Sequence, residues 1–483
     1  MRICVTIMKK FYLTAAIPYV NAKPHLGHVL EWFQADVIAR FHRQLGESVQ
    51  FSCGTDENSL KNVQAAAKAG VDPQVWLDQY AQVFQDAFKF FEISLTNFRR
   101  GSDQTQHWPG VQELWQRCLD ANDIYQKEYT GLYCVGCESY YTQGELIDGQ
   151  CPEHLTVPET ITEKNYFFKL SKYQSQIEEL LAADTVAVLS DQYKQEMLSF
   201  VRNGLEDFSV SRSISRARGV GVPVPNDSSQ VMYVWFDALA IYLTSIGWGY
   251  DQQRFESIWP ADLHVIGKGI ARFHAVYWLG ILLSATLSLP KKISVHGYIT
   301  ADGQKMSKSL GNVIDPFKLV EQFGLEPVKF FLLKYINSHS DGDYSQEKFI
   351  EAYNADLANG IGNLCSRVAK LCEKDGLSGL SKPQTVFNQD FVKFFDQVEL
   401  SQALEWLTTQ ISRADLYLSQ EKPWQETDSA KRTQVLEQAV TKILFIAIHL
   451  QPFLPHAAER IIAHFTAPTI SVFQPSLFPR LGL

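Results

Sequence analysis

Two runs in which apolar strand patterns alternate with helical periods, parted by a turn-rich stretch and followed only by helical periods, constrain this chain more than any other feature. Up to about residue 120, strands at Lys10 to Val20 and Ser48 to Cys53 alternate with helical periods from about His28 and through Val111 to Leu119. Strands joined through helices lie parallel, because a parallel connection has to cross back over the sheet. Between about 121 and 225 the texture turns to Gly, Tyr and Cys-rich turns, a helix around Lys194 to Val201 and the segment RARGVGVPVPNDSS, which reads as an insertion into the sheet domain. The alternation resumes at VMYVWFDALAIY and DLHVIGKGIARFHAVYW and ends with the strand KKISVHGYIT. From about 346 only long helical periods remain, EKFIEAYNADLANGIGNLCSRVAKLCEK among them, and they predict a helix bundle. The expected organisation is therefore an α/β parallel sheet domain in two halves, 1–120 and 226–300, an insertion at 121–225, a linking region at 301–345 and an all-α domain at 346–483. A ligand crevice is expected at the carboxyl ends of the strands.

With 483 residues, 46% of them hydrophobic, the chain is long enough for two or three domains with cores of their own. Its formal net charge of −9 argues against holding nucleic acid by general attraction, so any RNA contact has to be a local patch with specific contacts. No stretch approaches the roughly twenty apolar residues of a membrane span, and AVYWLGILLSATLSLP fits a buried helix; no membrane partner is expected. MRICVTIM is too short for a signal peptide, and Met8 is an alternative start to Met1. Eight cysteines, three of them in one cluster, do not resemble a disulfide framework, and a reducing cytoplasm is the expected location.

Three short motifs carry chemistry. In PHLGHVLEW, residues 24 to 32, Pro24 restrains the approach to a helix, Gly27 leaves room for a flat ligand, and His25 and His28 project from the first turn. Amide groups at a helix start favour phosphate, and two imidazoles add donors there; the bland alternative is a helix start with two surface histidines. KMSKS, residues 305 to 309, follows a strand in a Gly-flanked loop, where a mobile phosphate clamp belongs. CVGC and CPEH place Cys134, Cys137, Cys151 and His154 in two knuckles across a polar hairpin, which suits one closed, structural zinc site. Four protein ligands leave that metal no open position.

The first two motifs together resemble the class I aminoacyl-tRNA synthetases. AAIPYVNAKPHLGH, FSCGTDENS, YVWFDA, HGYITADGQKMSKSLGNVIDP and NADLANGIGNL narrow the resemblance to the methionyl-tRNA synthetases, over nearly the whole chain. It implies a Rossmann-like catalytic domain split by a zinc-knuckle insertion, then a helix-bundle domain that binds the anticodon. It also implies ATP with Mg²⁺, L-methionine and a tRNA with a CAU anticodon as partners. His25, Gly27, His28, Lys305, Ser307 and Lys308 match the ATP-binding positions, with the two histidines and two lysines as the catalytic groups. Ile17, Tyr19, Asp56, Trp235, Tyr242 and His274 match the methionine pocket, Asp56 taking the ammonium. Asn363, Arg367 and Trp424 match the anticodon readers. A monomer is expected. Synthetases for leucine, isoleucine or valine share the signatures but carry a large editing insertion, and a tRNA-binding protein that has lost catalysis is the alternative from another class. The chain departs from the family at Gly269, where an aspartate is usual, at Asn58 and Ser59 in place of His-Gly, and at Val220, where a Trp is common.

Overall fold

The structure, a computed structural model, describes residues 9–136, 139–153, 155–306 and 312–482. It divides into two compact units: residues up to Pro24 with Glu47–Val295, and His25–Gly46 with His296–Leu483.

The first unit is built on a six-stranded sheet. Its strands are β1 (Lys10–Ala15), β2 (Ser48–Thr55), β3 (Asn97–Arg100), β4 (Ala187–Leu189), β5 (Leu263–Gly267) and β6 (Lys292–His296), in the order β3-β2-β1-β5-β6-β4. β1 pairs in parallel with both β2 and β5, β2 with β3, and β6 with β4. β1 and β5 are buried almost throughout, as strands covered on both faces must be. The order reverses between β1 and β5, and an open α/β sheet offers its ligand crevice at such a switch point. The helix Val234–Thr244 is buried at every residue, so its all-round apolar sequence belongs inside the core rather than on a surface.

β1 ends at Ala15 rather than Val20; Pro18 lies just beyond it, and only a single bridge from Tyr19 to Asp56 continues the pairing. β4 lies within the stretch expected as insertion and joins the edge of the main sheet. The rest of that stretch holds an antiparallel sheet of Ser139–Tyr141, Ile124–Cys134, Glu159–Phe168 and Phe208–Ser209.

The second unit is mainly helical and includes the helix Leu26–Gln44. A buried ion pair ties that helix to Leu325–Tyr335: Lys329 Nζ lies 2.6 Å from Asp36 Oδ2, and Arg40 reaches the same carboxylate. Phe41 stacks on Phe395 at 3.8 Å. The long helical period near residue 360 is broken: Tyr353–Gly362 is π-helical, Gly360 leaves helical geometry at ψ −109°, and a regular helix resumes over Asn363–Asp375. Among the described residues no helix is long and apolar enough to cross a membrane.

Gly54 on β2 lies opposite Arg99 of β3. A Cβ there would stand 2.1 Å from the Arg99 carbonyl oxygen, a backbone atom that cannot turn aside. Gly54→Ala is therefore expected to cost about 1–3 kcal/mol through displaced strands, and urea unfolding of the variant beside the parent measures it.

Candidate active site

In the second unit, His25 is the N-cap of the helix Leu26–Gln44, held in extended geometry at φ −112°, ψ 173°. Its Nδ1 accepts from the Gly27 amide at 3.1 Å and the His28 amide at 3.4 Å, while His28 Nδ1 accepts from the His25 amide at 3.2 Å. An imidazole nitrogen that accepts carries no proton. Each neutral ring therefore bears its hydrogen on Nε2, pointing away from the cap. Two expectations change here. The first-turn amides of Gly27 and His28 are occupied by an imidazole rather than open to phosphate. The room beside Gly27 is likewise used by the His25 ring, whose atoms would lie 3.1 Å from an added Cβ.

The electrostatics agree with neutral rings. The two imidazoles stack at 3.7 Å and 19°, and His28 lies over Trp32 at 6.0 Å and 17°. Burial among protein atoms pushes His25 down to about 4, and the charge of His296 adds to this against a backbone hydrogen bond. His25 keeps an exposed edge, but the two amides on its Nδ1 independently require the unprotonated form. Burial, then His25 and His296, hold His28 well below the usual histidine range. His296 in turn is tethered to Glu31 at 3.1 Å and to the Gly297 carbonyl at 2.8 Å.

Lys305 stands exposed at the end of a hairpin formed by Ile299–Ala301 and Gln304–Lys305. Its two-residue turn, Asp302-Gly303, has φ +50° and +74°, the geometry that Asp-Gly favours. Asp343 anchors the turn, accepting from the Gly303 amide and the Thr300 hydroxyl, both at 2.7 Å. Ser307 and Lys308 lie outside the described residues.

In the first unit the expected methionine-pocket residues gather at the switch point. Tyr19 meets Trp235 edge-to-face at 6.5 Å and bridges to Asp56, whose amide donates to the Pro18 carbonyl at 2.8 Å. Asp56 is 3% exposed, so its carboxylate sits in a protein environment rather than in water. Ile17 is half-buried on the same extended segment. Trp235 and Tyr242, two turns apart on one helix, share a face. His274 Nδ1 donates to the Ile270 carbonyl at 3.0 Å, so its Nε2 accepts from the Tyr242 hydroxyl at 2.8 Å. Burial pushes His274 down to about 4.

Three residues escaped the sequence reading. Phe273 stacks face to face on Trp235 at 3.8 Å and 6°, Lys61 holds its ammonium 4.3 Å from the Tyr19 ring, and His264 packs against Tyr242 at 4.7 Å with its Nδ1 2.6 Å from Thr14 Oγ1. Phe273 precedes His274 in the FH pair and could have been flagged with it; a lone Lys or core His gives no such signal. Two departures acquire local roles. Ser59 caps the helix Leu60–Ala69 by accepting from the Lys61 amide at 3.1 Å, and Asn58 donates to the Gly101 carbonyl at 2.8 Å and Asp237 Oδ2 at 2.6 Å. Gly269 is exposed in the short turn Lys268–Ile270.

Of the four expected metal ligands, Cys137 and His154 lie outside the described residues. Cys134 and Cys151 are both buried and converge on Thr156: Cys134 Sγ is 3.7 Å from its hydroxyl, and the Cys151 amide donates to its carbonyl at 2.9 Å. The Cys151 thiol itself lies 3.5 Å from the Tyr141 hydroxyl, and two buried thiols on neighbouring strands and turns are of the residue type a metal knuckle uses. In the bundle, Arg367 pairs with Asp415, and its guanidinium lies 5.8 Å from the ring of Trp424, which is 45% exposed. Asn363 is exposed one helical turn before Arg367.

Comparison with known proteins gives a consistent likeness. The family model described as tRNA synthetases class I (M) matches residues 11–156 and 154–369. The methionine–tRNA ligase of Rickettsia felis is 37% identical over 94% of this chain and 91% of its own length, and that of Rhizobium meliloti is 39% identical over 95% and 92%. The solved Mycobacterium tuberculosis methionyl-tRNA synthetase in complex with methionyl-adenylate superposes with a TM-score of 0.90 at 35% identity, covering 98% of this chain and all of that one.

The buried neutral histidine His274 makes a pH prediction. Its folded value near 4 lies below the ordinary 6.5, so between those limits the unfolded chain binds the extra proton and stability falls as pH falls. His274 alone should contribute a loss on the order of 2 kcal/mol from pH 6.5 to 5. Urea unfolding at both values, with His274→Asn as the non-titrating comparison, measures it; equal losses in parent and variant would remove His274 as the source.

Proposed function

The chain belongs to the methionine family of class I tRNA synthetases and is an aminoacyl-tRNA ligase that activates methionine and charges tRNA; from that premise we propose how its residues divide the work. What carries the premise is the likeness along 98% of the chain to a synthetase holding methionyl-adenylate.

In the first step the methionine carboxylate attacks the α-phosphate of ATP in line, a P–O bond to pyrophosphate breaks, and methionyl-adenylate forms. In the second, the 2′-hydroxyl of the terminal adenosine of tRNA takes the methionyl group and AMP leaves. Neither step needs a covalent intermediate on the protein, so its part is positioning and charge stabilisation. His25 and His28 donate from Nε2 to phosphate oxygens as charge develops there, a role suited to rings held neutral, with Nδ1 committed to the helix cap. Gly27 supports that cap. Lys305, with Ser307 and Lys308 beyond it, brings positive charge to the departing pyrophosphate. Mg²⁺ bound with ATP supplies further neutralisation.

Asp56 holds the substrate ammonium, and Ile17 contributes backbone beside the thioether. Tyr19, Trp235, Tyr242 and His274 form an aromatic wall against which sulfur packs favourably. Cys134 and Cys151, with Cys137 and His154, hold one structural Zn²⁺ that fastens the insertion. Asn363, Arg367 and Trp424 read a CAU anticodon, the exposed indole offering a stacking face to an unpaired base. We assign the protein to the cytoplasm, as a monomer.

Methionine-dependent exchange of pyrophosphate into ATP tests the activation step, with leucine, isoleucine, valine and homocysteine as competitors. Methionine should lead leucine by on the order of 100-fold; exchange led by another amino acid, or none, would falsify the assignment of this pocket. His25→Asn keeps an acceptor at the cap, because Asn is a good N-cap, but removes the outward Nε2–H. It should melt within a few degrees of the parent and lose on the order of 100-fold in turnover. Elemental analysis should find about one zinc per chain, absent from Cys151→Ser.

A further inference from the structure

β2 ends at Thr55, and Asp56 follows it with little of the ladder to hold it: one bridge to Tyr19 and one bond from its amide to the Pro18 carbonyl. Its own carbonyl and the next are taken by a side chain. Asn62, 1% exposed in the first turn of the helix Leu60–Ala69, donates from Nδ2 to the Asp56 carbonyl at 2.8 Å and to the Glu57 carbonyl at 3.1 Å. Two carbonyl partners fix which end of the amide faces the loop, because only its nitrogen can donate. Oδ1 accepts from no described residue, so the side chain is held by its donor end alone.

The residues on either side are fixed from other elements. The Glu57 carboxylate accepts from Arg100 Nη2 at 2.8 Å and from the Thr55 and Ser102 hydroxyls, each at 2.5 Å. Asn58 donates to the Gly101 carbonyl and to Asp237, which lies on the buried helix that carries Trp235 and Tyr242. The other oxygen of Asp237 lies 2.6 Å from His107 Nε2, and His107 Nδ1 lies 2.8 Å from Thr244 Oγ1 on that same helix. Asn58 thus uses both hydrogens of one amide nitrogen, whereas a neutral imidazole at that position has a single N–H to give. The first turn that carries Asn62 also reaches the aromatic wall, since Lys61 holds its ammonium 4.3 Å from the Tyr19 ring.

A carboxylate that takes an ammonium has to meet it at the right distance and direction, because charge-assisted hydrogen bonds are short and directional. A displacement of about 1 Å in such a group is enough to cost on the order of 100-fold. The side chain of Asp56 is short, so its carboxylate goes where the backbone puts it. The sheet does not fix that backbone, because the ladder has ended; the two asparagines do. We propose that Asn62 is a positioning residue for the amino-acid substrate: it holds the Asp56–Glu57 peptide from the helix side while Asn58 ties the same loop to the helix Val234–Thr244, and together they set how tightly the ammonium of methionine is bound. The proposal rests on the reading above in which Asp56 takes that ammonium.

The test uses Asn62→Leu, which keeps the shape of the side chain and removes its donor, and Asn58→Ala, a half-buried change that cuts the tie to Asp237. In methionine-dependent pyrophosphate exchange, KM for methionine should rise about tenfold in Asn62→Leu and about threefold in Asn58→Ala, with KM for ATP within about twofold of the parent in both. Two inhibitors separate positioning from general loosening. Methioninol, which has the ammonium and the thioether, should weaken in parallel with methionine, whereas 4-(methylthio)butanoate, which lacks the ammonium, should inhibit parent and variants within about twofold of one another. Parallel weakening of both inhibitors, or equal rises in KM for methionine and ATP, would assign the asparagines to the packing of the fold and overturn the proposal, as would an unchanged methionine KM in both variants. If Asn62→Leu does not fold, Asn58→Ala decides by the same comparison. Asp56→Asn keeps the two failures distinct: an unchanged methionine KM in that variant would overturn the ammonium reading itself.

Discussion

The reciprocal hydrogen bonds between His25 and His28 govern how the helix Leu26–Gln44 begins. A helix start leaves backbone amides without partners, and here imidazole nitrogens take the place of the hydroxyl or carboxylate that usually satisfies them. That choice fixes three things together: the first turn of the helix, the tautomer of each ring, and the direction in which the remaining N–H points. A protonated Nδ1 would break the cap, and two imidazolium rings stacked at 3.7 Å would repel. The helix and the donors therefore depend on the same neutral state.

The aromatic cluster in the sheet unit follows a similar economy. β1 and β5 are neighbours at the point where strand order reverses, and the residues beyond their carboxyl ends supply Tyr19 on one side and His274 on the other. The buried helix Val234–Thr244 adds Trp235 and Tyr242. Tyr242 has one hydroxyl proton and directs it to His274, because the Ile270 carbonyl has already fixed which nitrogen of that ring accepts. Side chains with so few remaining choices hold the cluster in a defined shape.

Much of this is legible in the sequence. Apolar strands alternating with helices predict the parallel sheet, and PHLGHVLEW, KMSKS and the residues around them carry the family. What cannot be read depends on contacts distant in the chain or on exceptions to local pattern. The capping role of His25 is hidden because histidine is an unusual N-cap; the helix start is readable, but not that the His25 ring covers its first-turn amides. Apolar length alone extends the first strand to Val20, whereas Pro18 and the loss of a ladder partner end it at Ala15. Phe273 on Trp235 and Lys61 over Tyr19 are long-range contacts with no periodic signature. The π-helical segment before Asn363 likewise has an ordinary helical period in sequence.

The neutral, Nδ1-accepting state of the two histidines is the central claim, and nitrogen chemical shifts of ¹⁵N-histidine-labelled protein test it most directly. At pH 7 the account predicts that the resonances of His25 and His28, assigned by His25→Asn and His28→Asn, show an unprotonated Nδ1 and a protonated Nε2, and stay so as pH falls through 6. Imidazolium shifts for either residue at pH 7, or a proton on Nδ1, would contradict it.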